Sequence, residues 1–137
     1  MIVHALRLLP GSDLKKSLLT FAAEHKLKAA FILTCVGSLE EAAIRMAGAG
    51  EVKQFSDKLE ILSLSGTFST RGGHFHISTS DKNGRVCGGH LMEGCVIYTT
   101  AEIVIGEAPG MEFRRAEDIE TGFKELLVLR LPDKKDL

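Results

Sequence analysis

Between Gly72 and His90 the chain writes out a strand, a turn and a second strand, and this stretch constrains the fold more than any other. His74, His76 and Ser78 alternate with Phe75, Ile77 and Thr79, the two-residue period of a strand with unlike faces. Asp81-Lys82-Asn83-Gly84 follows as a turn: aspartate suits the first position of a type I turn, and glycine takes the left-handed conformation that closes it. A three-residue loop, Lys82-Asn83-Gly84, with a bulge at the glycine pairs Asp81 with Arg85, Thr79 with Cys87 and His76 with His90. His74, His76 and His90 then share one side of an antiparallel ribbon, where opposed Cβ atoms lie about 4.5–5.5 Å apart. A two-residue Asn83-Gly84 turn shifts the pairing by one and sets His90 opposite Ile77 on the wrong face. A bulge at Gly88-Gly89 would also re-aim His90, so both registers stay open at the level of sequence.

The chemistry follows from the first register. Two imidazoles at i and i+2, with a third from the neighbouring strand, are a neutral three-nitrogen ligand set that suits Zn²⁺ and leaves a fourth position for water or substrate. Water held there loses its proton near pH ~7. The competing reading is three surface histidines hydrogen-bonded to backbone or to a neighbouring subunit. Catalysis needs an acid–base group beside the metal. Glu102 and Glu60 are the candidates, because each interrupts an otherwise apolar or hydroxyl-rich strand. The bland alternative for both is an ion pair with Arg71 or Arg85, or plain exposure. Cys87 falls on the face opposite His90, and Cys35, Cys87 and Cys95 read as reduced thiols in strands. His4 reads as a strand residue and His25 as a surface residue at a helix end.

The remaining elements frame the hairpin. Met1–Leu9 reads as a first strand, and Pro10-Gly11-Ser12-Asp13 as a stop followed by a helix start capped by Ser12 or Asp13. Leu14, Leu18, Phe21, Ala22 and His25 fall on helical spacing. Lys28–Val36 is an apolar strand; Ser38-Leu39-Glu40-Glu41 fits a capping box, so local signals predict a helix over Leu39–Met46. Lys58–Gly66 reads as a strand, Thr67–Gly73 as a loop, and Cys95–Ile105 as the longest strand. Met111–Gly122 reads as charged and irregular or a short helix, Phe123–Leu131 as a final strand, and Asp133–Leu137 as a frayed tail. With 137 residues, one domain is expected: α+β, with a mixed, largely antiparallel sheet and one main helix. A net charge of −1 and few aromatics argue against direct nucleic-acid binding, and no signal peptide or membrane span is visible, so a cytoplasmic location is expected.

Several segments together resemble the PPC (plants and prokaryotes conserved) domain family. They are Arg7-Leu8-Leu9-Pro10-Gly11-Ser12-Asp13-Leu14, Val36-Gly37-Ser38-Leu39, Leu59–Thr67, His74–Ser78, Gly84–Leu91, Thr99-Thr100-Ala101-Glu102 and Thr121–Leu126. The resemblance implies an α+β domain that assembles as a homotrimer, and it implies a strand where the local pattern over Leu39–Met46 says helix. In plants such a domain follows a DNA-binding AT-hook and carries protein–protein contacts of nuclear factors. This chain has no Arg-Gly-Arg-Pro core and is similar to the free-standing form. The family fold is in turn similar to acetolactate decarboxylase and to a group of zinc-dependent ester hydrolases, which hold zinc with a His-x-His pair and a later histidine. The matching residues are His74, His76 and His90; plant-type domains tend to lack the last of these. The resemblance therefore implies a metal site, zinc first, open to a small-molecule ligand. It leaves two other roles in play: a metal-dependent hydrolase or lyase, and an interaction module in gene regulation.

Overall fold

Hydrophobic alternation along the chain builds nine strands and one helix in the computed structural model, which describes residues 1–133. The elements are β1 (Ile2–Leu8), α1 (Leu14–Glu24), β2 (Ala30–Arg45), β3 (Val52–Phe55), β4 (Leu59–Ser69), β5 (Gly72–Ser80), β6 (Val86–Leu91), β7 (Val96–Glu107), β8 (Met111–Glu117) and β9 (Lys124–Arg130). Seven strands form one sheet in the order β1-β7-β2-β4-β5-β6, with β3 added to β2; β8 and β9 form a separate two-stranded ribbon. Every ladder between these strands is antiparallel, within a single α+β domain. Of the tail expected over Asp133–Leu137, all but Asp133 lies outside the described residues.

The sheet is organised around β2, whose 16 residues pair with β4 and β7 and, at the far end, with β3 and β6. Its second half is where the local prediction of a helix over Leu39–Met46 fails, and the strand implied by the family resemblance is what forms. Ser38 does not cap a helix. Its hydroxyl bonds the Thr99 hydroxyl across the ladder at 2.8 Å, while Leu39, Ala42, Ala43 and Ile44 are buried. Burial in a sheet outweighs a capping preference worth about 0.5–2 kcal/mol. At the other end of β2–β6, Ile44 pairs with Leu91 and Arg45 with His90, so β2, β4, β5 and β6 close into a ring.

Asp13 takes the cap position of α1, accepting from Lys16 N at 2.9 Å, and its second oxygen accepts from Gly94 N at 2.7 Å. One carboxylate thus starts the helix and fixes the turn before β7. Leu14, Leu18 and Ala22 of α1 are fully buried in the core with Phe68, Phe75, Ile97, Ile103 and Ile105. Each large aliphatic side chain among them contributes at most about 1.5–3 kcal/mol.

Two further expectations are corrected. The segment Thr67–Gly73 is not a loop: β4 runs on to Ser69 and returns through Thr70-Arg71 into β5. Met111–Gly122 is not irregular or helical, because β8 occupies Met111–Glu117 and pairs with β9. The turn between them repeats the grammar of the histidine hairpin. Gly122 N donates to Asp118 O at 2.8 Å, Asp118 N donates to Phe123 O at 2.9 Å, and Gly122 has a φ of 74°.

Candidate metal centre

The hairpin turn decides the register. Gly84 N donates to Asp81 O at 2.9 Å, Asp81 N donates to Arg85 O at 3.0 Å, and Gly84 sits at a φ of 77°. The Asp81 carboxylate accepts from Asn83 N and Arg85 N, both at 2.9 Å. This is the three-residue loop, and it sets Ser80 against Val86, Thr79 against Cys87 and His76 against His90 without a bulge. Gly88 and Gly89 serve close approach. A Cβ on Gly88 would stand 2.7 Å from Ile77 O, and one on Gly89 would stand 2.5 Å from Arg45 O. Only bare backbone lets β6 fit between β5 and β2 and carry His90 to the seam.

Cross-strand partners in antiparallel ladders share a face. Arg45, His90, His76 and Ser65 therefore form one rung across β2, β6, β5 and β4, and His74 stands opposite Thr67 one step along. His74 Nε2 and His76 Nε2 are 3.2 Å apart, and one nitrogen from each of the three histidines lies within 4.8 Å of the others. Tetrahedral ligands at 2.0–2.1 Å from zinc are separated by about 3.4 Å, so the first pair is already near that spacing and the third nitrogen lies within 4.8 Å of both. His74 and His76 are exposed and His90 is half-buried.

The surroundings of His74 and His90 favour the neutral imidazole, the form that binds a metal. Burial, followed by the Arg45 guanidinium, pushes His90 down to about 4. Burial also lowers His74, helped by His76 and Arg115 and opposed by Glu125.

Three hollows of about 500, 350 and 230 Å³ meet at His74. The largest opens between the histidines and the β8–β9 ribbon, with Arg45, Arg71, Arg115, Lys124 and Glu125 on its walls. Arg115 reaches back from β8, donating through Nη2 to Thr67 O at 3.0 Å and Thr67 Oγ1 at 2.8 Å. Glu125 Oε1 accepts from the Thr121 hydroxyl at 3.0 Å.

The structure does not bring Glu60 or Glu102 to this site. Both are exposed, and neither lines a hollow at the histidines. Glu60 pairs with Ser80, five residues along β4 from Ser65, or ~17 Å at the rise of a strand. Glu102 pairs with Arg7 and with Val36, which lies mid-way along β2 and well away from Arg45. Arg71 approaches Glu112 instead, at 4.0 Å. The carboxylate beside the histidines is Glu125, which sequence reasoning missed along with Arg45, Arg115 and Lys124. The signal that could have found the ribbon residues was the Asp118…Gly122 turn. Cys87 lines a different hollow with Asp57 and Asp81, and burial pushes Cys35 and Cys95 up to about 11, which leaves them inert as thiolates. His4 meets Glu107 at 3.0 Å, and His25 stacks on Phe21 with ring centroids 3.9 Å apart at the end of α1.

Residues 1–109 match the sequence profile of the Plants and Prokaryotes Conserved (PCC) domain. The chain belongs to the PCC (PPC) domain family. The solved structure of a protein from Salmonella cholerae-suis is 40% identical, with a TM-score of 0.92 and 94% of each chain covered. A metal-containing protein of Archaeoglobus fulgidus is 32% identical, with a TM-score of 0.78 over 93% of this chain and 94% of that one. The bifunctional protein GlmU of Synechococcus sp. (strain JA-3-3Ab) is 46% identical over 131 residues, which is 96% of this chain and 21% of that protein. The chain thus spans about a fifth of the length of the GlmU proteins it matches. The PCC match ends before β8, so Arg115, Lys124 and Glu125 come from a ribbon outside the matched residues.

Proposed function

We propose that this PCC domain binds a divalent metal ion, zinc in the first place, through His74, His76 and His90, and that the bound ion presents an open position to a small-molecule ligand. The observation that carries the reading is the convergence of three imidazole nitrogens within 4.8 Å on one sheet face. The lowered proton affinity of His74 and His90 supports it, and so does the metal content of the Archaeoglobus relative. Zinc held by three histidines supplies a Lewis acid and a water that ionises near pH ~7. The protein's own residues hold the imidazoles in register and surround them with a charged hollow of metabolite size.

The role we assign is ligand binding or regulation by a homotrimer in the cytoplasm. Support for the assembly comes from the family resemblance and from exposed apolar residues on strands, among them Leu33, Val36 and Leu62. Hydrolase or lyase chemistry has no role here for Glu60 or Glu102, since both lie away from the imidazoles.

The test is metal analysis of the purified protein after loading with zinc and dialysis. Wild type is expected to retain about one zinc per chain, as one three-ligand site requires. His76→Ala is expected to fall to background while keeping the wild-type circular dichroism spectrum. Equal trace metal in both proteins refutes the reading.

A further inference from the structure

The large hollow beside the histidines has a charge pattern that the metal does not explain. Arg45, Arg71, Arg115 and Lys124 line it, against one carboxylate, Glu125. Among the described residues, Arg45, Arg115 and Lys124 make no ion pair within 4.0 Å; only Arg71 approaches a carboxylate, that of Glu112. Acidic and basic residues are nearly balanced over the chain, 18 against 17, yet four cationic groups gather here against one carboxylate.

Arg115 is also pre-organised. Its two hydrogen bonds to Thr67 use Nη2, hold the half-buried guanidinium over the β4–β5 ladder, and leave Nε and Nη1 free to donate. A planar fork fixed in this way matches the two oxygens of a carboxylate or phosphate. Arg45 stands on the other flank, on the same rung as His90 and His76. Gly72 and Gly73 line the hollow as well, and a Cβ added at Gly72 would meet nothing within 4 Å.

We propose that this hollow is an anion subsite for a small carboxylate- or phosphate-bearing molecule, with Arg115 and Arg45 as its clamps and Lys124 contributing charge. The β8–β9 ribbon, which supplies Arg115, Lys124 and Glu125 from outside the residues matched to the PCC domain, is then the element that sets ligand specificity. The inference rests on the metal reading only for what the ligand's other end meets: anchored at Arg115, it would extend toward His74 and His90, which line the same hollow.

The test uses the full chain in metal-free form, titrated calorimetrically with inorganic phosphate and with malonate. Both are expected to bind saturably. Arg115→Gln and Arg45→Gln should each weaken binding about tenfold, the cost of losing a charge-assisted hydrogen bond. Glu125→Gln should tighten it by removing the opposing charge. Lys16→Gln, at a surface lysine that instead approaches Glu93, should change nothing. Arg115→Gln also loses its hold on Thr67, so Arg45→Gln and Lys124→Gln decide the matter if that variant melts early. Unchanged affinity in Arg45→Gln and Lys124→Gln overturns the inference, as does the absence of saturable binding in wild type. Arg115-dependent binding of a duplex oligonucleotide in place of the small anions overturns it too. Zinc retention, measured on a portion of each preparation reloaded with zinc and dialysed, separates the two readings: zinc retention without anion binding sinks only the subsite, and anion binding without zinc retention sinks only the metal.

Discussion

His90 carries the most information of any single residue in the site. Its proton affinity falls to about 4 because the ring is partly withdrawn from water beside Arg45. An unfolded imidazole titrates near ~6.5, so between the two values the unfolded chain binds more protons than the folded one. The metal-free protein should therefore be fully stabilised by this residue above about pH 6.5 and lose that contribution as pH falls toward about 4. Thermal melts across that window check it: the melting temperature of wild type should drop more steeply than that of His90→Asn. Protons therefore compete weakly with a metal ion for the His90 nitrogen, so His90 should remain available as a ligand below the pH at which an ordinary histidine protonates. At this scale the histidine triad was legible as one of two registers: period-two alternation put His74 and His76 on one face, and His90 joined them only if the turn took the three-residue form that the structure shows. Glu60 and Glu102 look alike in sequence, as carboxylates on strands, but a strand's distance from the histidines depends on long-range pairing that no local pattern records.

At the scale of elements, β6 is the demanding one. It is hydrogen-bonded on both edges, and its two glycines are where the neighbouring backbones come closest. Gly89→Ala would press a methyl group to within 2.5 Å of Arg45 O. Overpacking of this kind costs about 1–3 kcal/mol. The variant should show that loss in chemical denaturation, together with weakened zinc retention, because the strain falls on the strand that positions His90. A Gly89→Ala protein with wild-type stability would mean that β6 does not lie between β5 and β2. Local signals offered the right hairpin pairing as one of two registers but pointed to a helix in the second half of β2, where the family resemblance implied the strand that forms, and one physical reason covers both outcomes. The hairpin is held by contacts close in sequence, whereas Leu39–Met46 is drawn into a strand by β3, β6 and β7. The β8–β9 ribbon was half seen, since β9 has a strand's composition while β8 is built from charged residues that local propensity assigns to loops.

For the whole molecule, the sheet leaves apolar side chains uncovered at Ile2, Val3, Leu33, Val36 and Leu62, and the ribbon exposes Phe123, Leu126, Leu127 and Val128. A monomer rarely keeps this much apolar strand surface in water. The homotrimer inferred above should appear as three times the 14.9 kDa chain mass in light scattering. Leu33→Asp combined with Val36→Asp should shift it toward monomer while preserving the circular dichroism spectrum. A wild-type protein that scatters as a monomer at all concentrations removes the assembly from the proposal.

The ring of β2, β4, β5 and β6 is shut by the shortest of its ladders, Ile44 with Leu91 and Arg45 with His90. An ion clasped by His74, His76 and His90 would sit beside that join, tying the strand that closes the ring to the strand before it. It would then be a latch as well as a ligand anchor, so that occupancy of the site and integrity of the barrel wall rise and fall together.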